Sequence, residues 1–249
     1  MTPPLNLLAI ETSTEACSVA VMVDGEVHER FEVAPRRHAE LALPWAEALL
    51  AEAGIARGQL DAIAVGRGPG AFTGVRLGIS IAQGIALALD RPVVPVSTLA
   101  VLAFGAGVTE PDEPQPVLAA IDARMGEVYI APFLRDHDSL HLLAPERVVA
   151  PAAIGREDFD GVAPYGSGSR WRAVGSGLRA DDNRLMRTLA PRFSWTDEAA
   201  LPHAADLALL AAAAFAGGEA LPPEQVEPAY LRDRVALTLA EQQAARAGR

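Results

Sequence analysis

Short apolar runs separated by polar turns open the chain. Residues 5–10 and 17–23 form two such runs around a turn that starts at Glu11, and residues 26–33 alternate after Asp24-Gly25. An apolar run bounded by turn residues is typical of a strand, and Asp-Gly is a strong hairpin signal. The pattern therefore predicts three consecutive antiparallel strands.

Helical periodicity then alternates with short apolar runs. We predict helices over residues 38–53, 73–89 and from Ser97, a good N-cap residue, to about 105, with strands over 61–65 and 92–96 between them. Strands interleaved with helices are typical of a sheet that carries helices on its faces. The first part of the chain is therefore predicted to be α/β with a mixed sheet.

A second unit follows a Pro-rich, acidic segment at residues 107–116 that has the composition of a linker. Its predicted elements are a hairpin of residues 117–121 and 127–133, a weaker strand over 140–149, a strand over 162–165, a glycine loop at 166–169 and an Ala-rich helix over 203–216. We therefore divide the chain into residues 1–106 and 117–249, and the C-terminal helix and tail of the second unit could return to the first.

Composition limits the possible chemistry. The chain has 249 residues, half of them apolar, and a net charge of −11 with no concentrated basic stripe, which disfavours direct binding of nucleic acid through its phosphates. All 21 basic residues are Arg, because the sequence contains no Lys. This excludes a lysine phosphate clamp of the Walker type, a Schiff base and a lysine general base.

Cysteine usage and the N-terminus bear on location. Cys17 is the only cysteine, which leaves no internal disulfide and fits a reducing compartment. The first residues have no basic segment followed by a signal-type apolar run, and the Ala-rich helix is too short to cross a bilayer. We therefore expect a soluble, cytoplasmic protein.

The segment GRGPGAFTGVRLG at residues 66–78 allows two interpretations. A glycine loop at a helix N-terminus can present free N–H groups to an anion. The alternative is a tight turn from strand to helix that needs unusual backbone angles. Both interpretations remain open from the sequence.

The helix that follows this loop has too much apolar surface for one contact. Arg76, Ser80 and Gln83 form one narrow polar stripe, and most other positions are apolar. Gly74 and Gly78 would let another helix approach closely. The helix over 38–53 is similar, with apolar residues spread around it, so the two helices are a candidate protein interface; the alternative is that they bury only against each other and the sheet.

Two hairpin turns are candidate nucleotide loops. Thr12 and Ser13 in the first could hold a phosphate, whereas Asp122 and Gly126 in the second could hold a metal ion and a second phosphate, with the loop at 166–169 facing an adenosine. Two ordinary hairpin turns are the alternative. No pair of histidines with metal-binding spacing lies on a helix, and no GxSxG motif appears, so a metallopeptidase or a serine hydrolase has no support.

Five segments occur in an order that resembles the TsaB family, also called YeaZ. They are IETSTEACSVAV, GRGPGAFTGVRLGISIAQGIALAL, PVSTL, AAIDARMGEVY and EPAYLRD. The resemblance covers nearly the whole chain. It implies the two-lobed actin-like ATPase fold, which is ribonuclease-H-like and shared by sugar kinases, heat-shock chaperones and actin.

The resemblance also implies a function. Members of this family are non-catalytic partners in the complex that forms threonylcarbamoyladenosine in tRNA, where a TsaD-like subunit performs the transfer and a TsaE-like P-loop ATPase joins the pair. By resemblance we expect the chain to have no enzyme activity, peptidase activity included, and to require no cofactor, while the complex uses ATP and Mg²⁺. We expect a homodimer when the chain is alone. Contact with tRNA is expected only through the complex, and no membrane contact is expected. The alternative is an ATP-dependent transferase or kinase that uses its own cleft.

The two helices of the first lobe form the dimer contact in this family. On this chain the resemblance maps that contact onto the following residues: His38, Leu41, Trp45, Leu49, Phe72, Gly74, Arg76, Leu77, Gly78, Ile81 and Ile85.

Overall fold

The first sheet has a mixed topology. The structure, a computed structural model, describes residues 5–107, 113–155, 158, 162 and 170–232. Its first five strands are β1 (Leu7–Glu11), β2 (Ala16–Val23), β3 (Glu26–Val33), β4 (Ala62–Gly66) and β5 (Val93–Val96). They lie in the order β3-β2-β1-β4-β5, with β1 antiparallel to β2 and parallel to β4.

The second sheet repeats this plan. It contains β6 (Gln115–Arg124), β7 (Glu127–Asp136), β8 (Ser139–Leu142), β9 (Arg147–Val149), β10 (Trp171–Val174) and β11 (Phe193–Asp197). Its order is β8-β7-β6-β10-β11, with β6 antiparallel to β7 and parallel to β10, while β9 pairs with β7. Two sheets of the same strand order confirm the two-lobed, actin-like α/β fold.

Helices cover both sheets. Within the described residues they are α1 (His38–Glu52), α2 (Phe72–Leu89), α3 (Thr98–Phe104), α4 (Ala180–Leu189) and α5 (Ala204–Ala216). The first sheet packs on α1 and α2 with one face and on α3 and α5 with the other, and the second sheet lies between α3 and α4. The C-terminal helix α5 therefore lies on the first sheet, although it follows the second sheet in sequence.

The predicted elements agree with the structure where periodicity was clear. Ser97 is the N-cap of α3, and its Oγ accepts a hydrogen bond from the Ala100 N–H at 3.3 Å. The predicted strand over 140–149 is two strands, and residues 170–200, which gave no pattern, contain β10, α4 and β11. The strand and the glycine loop predicted at 162–169 fall on residues that, apart from residue 162, lie outside the described part of the chain.

Helix α2 is longer than the Ala-rich helix considered for a membrane span in the sequence. Its 18 residues have a mean hydropathy of 1.5, which by length and composition would suffice to cross a bilayer, and one third of them are buried. Its buried side chains, Val75, Ile79, Ala82 and Ala86, pack on the first sheet. A helix that packs one face on a sheet and has a second apolar face as well reaches the same mean hydropathy as a membrane span.

The N-terminus of α5 is capped by strand residues. The Glu29 carboxylate accepts hydrogen bonds from the Ala205 N–H at 3.1 Å and from Ser18, whose Oγ accepts from the Ala204 N–H at 2.8 Å. His203 Nδ1 lies 3.0 Å from the other Glu29 oxygen. Burial alone would raise the pKa of Glu29, but the hydrogen bonds from His203, Ser18 and the Ala205 N–H lower it overall. These contacts fix α5 to β2 and β3.

Asp206 lies beside this cap without such compensation. Its Oδ2 faces the end of α3, where a Cβ added to Gly105 would lie 2.8 Å away. Burial raises the pKa of Asp206 from 3.8 to about 6, against the attraction of His203 and Arg135. An ionised Asp206 therefore costs folding free energy near neutral pH.

We expect Asp206→Asn to stabilise the protein at neutral pH. The folded-state pKa lies above the ordinary value, so the cost of Asp206 appears as the pH rises from 3.8 to about 6 and is constant above that. Urea unfolding should give a variant that is more stable by about 1–3 kcal/mol at pH 7. Asp138→Asn, which removes an exposed carboxylate, is the control, and an Asp206→Asn advantage that does not change between pH 4 and 6 would contradict the assignment.

Candidate functional site

The first candidate nucleotide loop is buried. Thr12, Ser13 and Thr14 are 1%, 0% and 8% exposed. The Ser13 N–H donates to Glu11 Oε1 at 2.7 Å, and Thr98 Oγ1 lies 3.0 Å from Ser13 Oγ. The polar groups of this turn are therefore hydrogen-bonded within the chain and closed to solvent.

A buried carboxylate lies at the centre of this turn. Glu11 is 1% exposed, and its Oε2 lies 3.2 Å from Thr98 Oγ1. Burial raises the pKa of Glu11, and the hydrogen bonds from Ser13 and Thr98 only partly oppose this effect. An acidic side chain in this position fills the space inside the turn and offers a phosphate group no positive charge.

The glycine segment after β4 covers the same turn. The Ala71 N–H donates to the Ser13 carbonyl at 2.7 Å, and Thr12 Oγ1 donates to the Gly74 carbonyl at 2.8 Å. A Cβ on Gly74 would lie 2.1 Å from the Thr12 carbonyl oxygen, and one on Gly78 would lie 2.6 Å from Thr12 Oγ1. The expectation that Gly74 and Gly78 admit a partner helix is therefore wrong: they admit the turn after β1.

The second candidate loop, the turn between β6 and β7, holds its aspartate in a local contact. Asp122 Oδ1 accepts from the Arg124 N–H at 2.8 Å, and Asp122 Oδ2 accepts from Arg124 Nη1 at 3.0 Å. Within the described residues no three His, Cys, Asp or Glu side chains come together as metal ligands. The structure therefore gives no support to Asp122 as a metal-holding residue.

An arginine from the C-terminal part of the chain occupies this second turn. Arg232 Nη2 donates to the carbonyl of Ala123 at 3.2 Å and to the Glu127 carboxylate at 2.5 Å, and lies 3.4 Å from the carbonyl of Arg124. Carbonyl and carboxylate oxygens suit a cation, whereas a phosphate needs N–H donors. The predicted phosphate role of Gly126 in this turn therefore has no support in the geometry.

A glycine turn that the sequence analysis overlooked lies against this second turn. It begins at Gly175, directly after β10, and its Ser176 Oγ accepts a hydrogen bond from the Asp122 N–H at 3.1 Å. The pattern VGSG was a visible signal of a turn after an apolar run, and in the structure Gly175 takes a positive φ of 102°. The glycine loop at 166–169, which was expected to face an adenosine, lies outside the described residues.

An apolar groove separates α1 from α2 on the outer face of the first lobe. It has a volume of about 260 Å³, and the Glu47–Arg57 ion pair, with an N–O distance of 2.6 Å, forms its polar rim. Leu8, Ala46, Leu50, Leu60 and Leu89 line it together with Leu43, Gly84, Ile85 and Ala88. The two helices therefore do not bury their facing apolar surfaces completely against each other.

Two further predicted interface residues, in addition to Gly74 and Gly78, are buried inside the chain. His38 is 8% exposed, and its Nε2 lies 3.1 Å from the carbonyl oxygens of both Thr14 and Ala16. Leu49 is 1% exposed in the core beneath α1. In this structure neither side chain is available to a partner: His38 fixes the start of α1 to the turn after β1, and Leu49 packs on the sheet.

The remaining predicted residues lie on one flank of α1, on one flank of α2 and at the N-terminal end of α2. Ile85 lines the groove, and Leu77 and Ile81 are half-exposed nearby on α2. Leu41 and Trp45 are half-buried, but they lie on the opposite flank of α1 from Leu43, which follows from 3.6 residues per turn. The structure therefore brings Ile85 to the groove, leaves Leu77 and Ile81 outside its lining on the same helix, and places Leu41 and Trp45 away from it.

Phe72 and Arg76 lie at the N-terminal end of α2. Phe72 is 68% exposed, and the Arg76 guanidinium lies 3.3 Å from the centre of its ring. On its other side Arg76 contacts Tyr230, whose ring centre is 5.1 Å away and which is itself 59% exposed. An arginine between two exposed aromatic rings is typical of protein contact surfaces.

Beside Phe72, which the prediction included, the helices have two further strongly exposed leucines that it missed. Leu43 is 47% exposed on α1, and Leu87 is 63% exposed on α2. Gly84 and Ala88 complete the exposed strip of α2. The signal was present in the helical spacing, but it could be used only once the sheet-facing side of each helix was known.

Comparison with known proteins shows the family of the chain. The model of the TsaD family, tRNA N6-adenosine threonylcarbamoyltransferase, matches residues 26–238. The tRNA threonylcarbamoyladenosine biosynthesis protein TsaB of Escherichia coli K12 is 42% identical over 238 residues, which cover 93% of this chain and 96% of the relative. The chain belongs to the TsaB family. The TsaB protein of Haemophilus influenzae is 37% identical over 93% of this chain and 95% of its own length.

A solved structure extends the match with the TsaB family to the fold. The structure of YeaZ from Pseudomonas aeruginosa superposes with a TM-score of 0.78 at 42% identity, and the match covers 91% of this chain and all of that chain. The two-lobed arrangement described above is therefore the arrangement of a solved relative.

We expect Gly74→Ala to destabilise the protein and Gly84→Ala to leave it intact. The Cβ at position 74 would meet backbone atoms of the turn after β1, whereas a Cβ at position 84 meets nothing within 4 Å. Urea unfolding should show a loss of about 1–3 kcal/mol or more for Gly74→Ala. Gly84→Ala, the control in the same helix, should gain about 0.5–1 kcal/mol, and equal stabilities would contradict the close packing.

Proposed function

We propose that this chain is a non-catalytic partner subunit in the formation of threonylcarbamoyladenosine in tRNA. In this proposal it binds a TsaD-like transferase through the groove and the exposed strip of α1 and α2. The observation that carries the proposal is an open apolar groove between α1 and α2, next to exposed leucines on both helices. The names of its TsaB relatives supply the pathway.

The shape and chemistry of this face support a protein partner. Leu43 and Leu87 are large, apolar and about half or more exposed, and the groove floor is lined by aliphatic side chains with one ion pair at its edge. Apolar side chains surrounded by polar groups are what a helix of another protein can bury. A helix laid between α1 and α2 would complete the layer on this face of the sheet.

The closed cleft supports a role without independent chemistry. The turn after β1 is buried around Glu11, and the turn after β6 holds the Arg232 guanidinium. The first turn is closed to solvent, and the oxygens of the second turn already face a cation of the chain itself. We therefore propose that this chain requires no cofactor and that ATP and Mg²⁺ act at other subunits of the complex.

Further parts of the proposal concern the other members of the complex. The net charge of −11 and the lack of Lys support contact with tRNA only through the transferase. We propose that a TsaE-like P-loop ATPase joins the pair, that the chain forms a homodimer through the same face when alone, and that it acts in the cytoplasm without membrane contact.

Leu43→Glu and Leu87→Glu should each weaken association with the TsaD-like subunit of the same organism. Both side chains are already exposed in the free chain, so the variants should fold, but a buried carboxylate at the interface would be unpaired. The dissociation constant measured by calorimetry should rise at least about 30-fold for each variant.

A matched control distinguishes the effect of changing the α1–α2 face from the general effect of adding a negative charge. Leu209 is 43% exposed on α5, which packs on the opposite side of the sheet. Leu209→Glu should bind with the parent affinity. Parent-like binding by both α1 and α2 variants would rule out this face as the docking site.

The second candidate function, an ATP-dependent transferase or kinase, predicts that the isolated chain binds ATP. The buried first turn and the occupied second turn argue against it. Titration of the isolated chain with ATP and Mg²⁺ should give no submillimolar binding and no turnover. Binding with turnover that Asp122→Ala removes would favour the enzyme.

A further inference from the structure

The segment of residues 221–232, here called the C-terminal strap, runs along the first lobe in an extended path. Its start pairs with the edge strand β5, because Leu221 and Val93 exchange two backbone hydrogen bonds of 2.8 Å. Gln83 of α2 then donates to the carbonyl of Pro223 at 2.8 Å, and Val226 is 4% exposed in the core beneath α2. The strap is thus an integral part of the first lobe up to this point.

The strap then crosses the glycine segment. The Ala229 N–H donates to the Arg67 carbonyl at 2.8 Å, and the Tyr230 hydroxyl accepts a hydrogen bond from Arg76. Arg67 belongs to the loop that covers the turn after β1. The strap therefore lies over the same elements that close the first candidate nucleotide loop.

The strap reaches the second lobe two residues later. Arg232 places its guanidinium on the turn between β6 and β7, where it bonds the Glu127 carboxylate at 2.5 Å and the Ala123 carbonyl at 3.2 Å. The Arg232 side chain is only 18% exposed, so this ion pair is partly desolvated and multiply hydrogen-bonded. Such an arrangement is stronger than an ordinary surface ion pair.

We propose that the C-terminal strap is a clasp that fixes the two lobes relative to each other and holds the cleft shut, with Arg232 as its closing residue. The lobes are already joined at α3, through its core and through Glu146 of the second lobe, which accepts a hydrogen bond from the N-cap residue Ser97 and lies 3.7 Å from Arg67. Contacts centred on one helix permit hinge rotation about it. A second connection, from α2 across the glycine segment to the β6–β7 turn, restrains that rotation. The clasp is a property of the isolated chain and does not depend on the proposed function.

The chemistry of the β6–β7 turn favours a cation as the closing residue. The carbonyl oxygens of Ala123 and Arg124 and the Glu127 carboxylate all lie within 3.4 Å of one nitrogen, the Nη2 of Arg232. The same turn would repel an anion, so closure by Arg232 and exclusion of phosphate have one cause.

Spin labels can measure the lobe arrangement directly. Cys17 is the only cysteine and is fully buried, so labels on Ala39→Cys in α1 and Ala152→Cys in the second lobe report one distance between two exposed positions. Double electron–electron resonance should give a narrow distance distribution in the parent. Arg232→Ala should widen it about twofold or more, because the hinge is released.

Two further variants make the result specific. Gln83→Ala loosens the other end of the strap and should widen the distribution in the same way. Arg179→Ala removes an Arg–Glu pair of 2.5 Å that lies wholly within the second lobe, and it should leave the distribution unchanged. A parent-like distribution in Arg232→Ala would overturn the clasp whatever the other variants show.

Discussion

The packing of α2 on the turn after β1 is the contact on which the rest of the first lobe depends. Thr12 donates to the Gly74 carbonyl, and two glycines one helical turn apart leave room for this turn against the helix. The contact buries the polar groups that could otherwise receive a phosphate. It also sets the rotation of α2 about its axis, and so decides which apolar residues remain outside.

A closed cleft and an open outer face are therefore two results of the same packing. In a nucleotide-binding lobe of this plan, the turn after the first strand would have to be accessible. Here the glycine segment, Glu11 and Thr98 fill that space with groups of the chain itself. The surface left for recognition is the side of α1 and α2 that faces away from the sheet, together with the aromatic and arginine side chains at the end of α2.

Much of the first lobe could be predicted from the sequence, because its strands and helices have clear periods and turn signals. The second lobe was only half recognised, since β10 is four residues long and contains Arg172. That guanidinium is buried, donates to the Ala106 carbonyl at 2.7 Å and stacks on Trp195. A charged residue that is satisfied from a distant part of the chain cannot be distinguished by local pattern from a residue in a loop.

At the site, a helical wheel shows which residues share a face but not what covers that face. This is why Gly74 was assigned to a partner interface and Leu43 was left out of it.

The cap of α5 has a consequence for how the chain must fold. The part of one face of the first sheet that α3 leaves open is covered only when α5 packs on it, and the N–H groups at the start of α5 are bonded by Ser18 and Glu29 from β2 and β3. During synthesis the N-terminal lobe therefore has an exposed apolar sheet face until almost the whole chain has left the ribosome. The two lobes, though built on one repeated plan, mature together as a single cooperative unit, and a truncated N-terminal half would expose the surface that α5 normally covers.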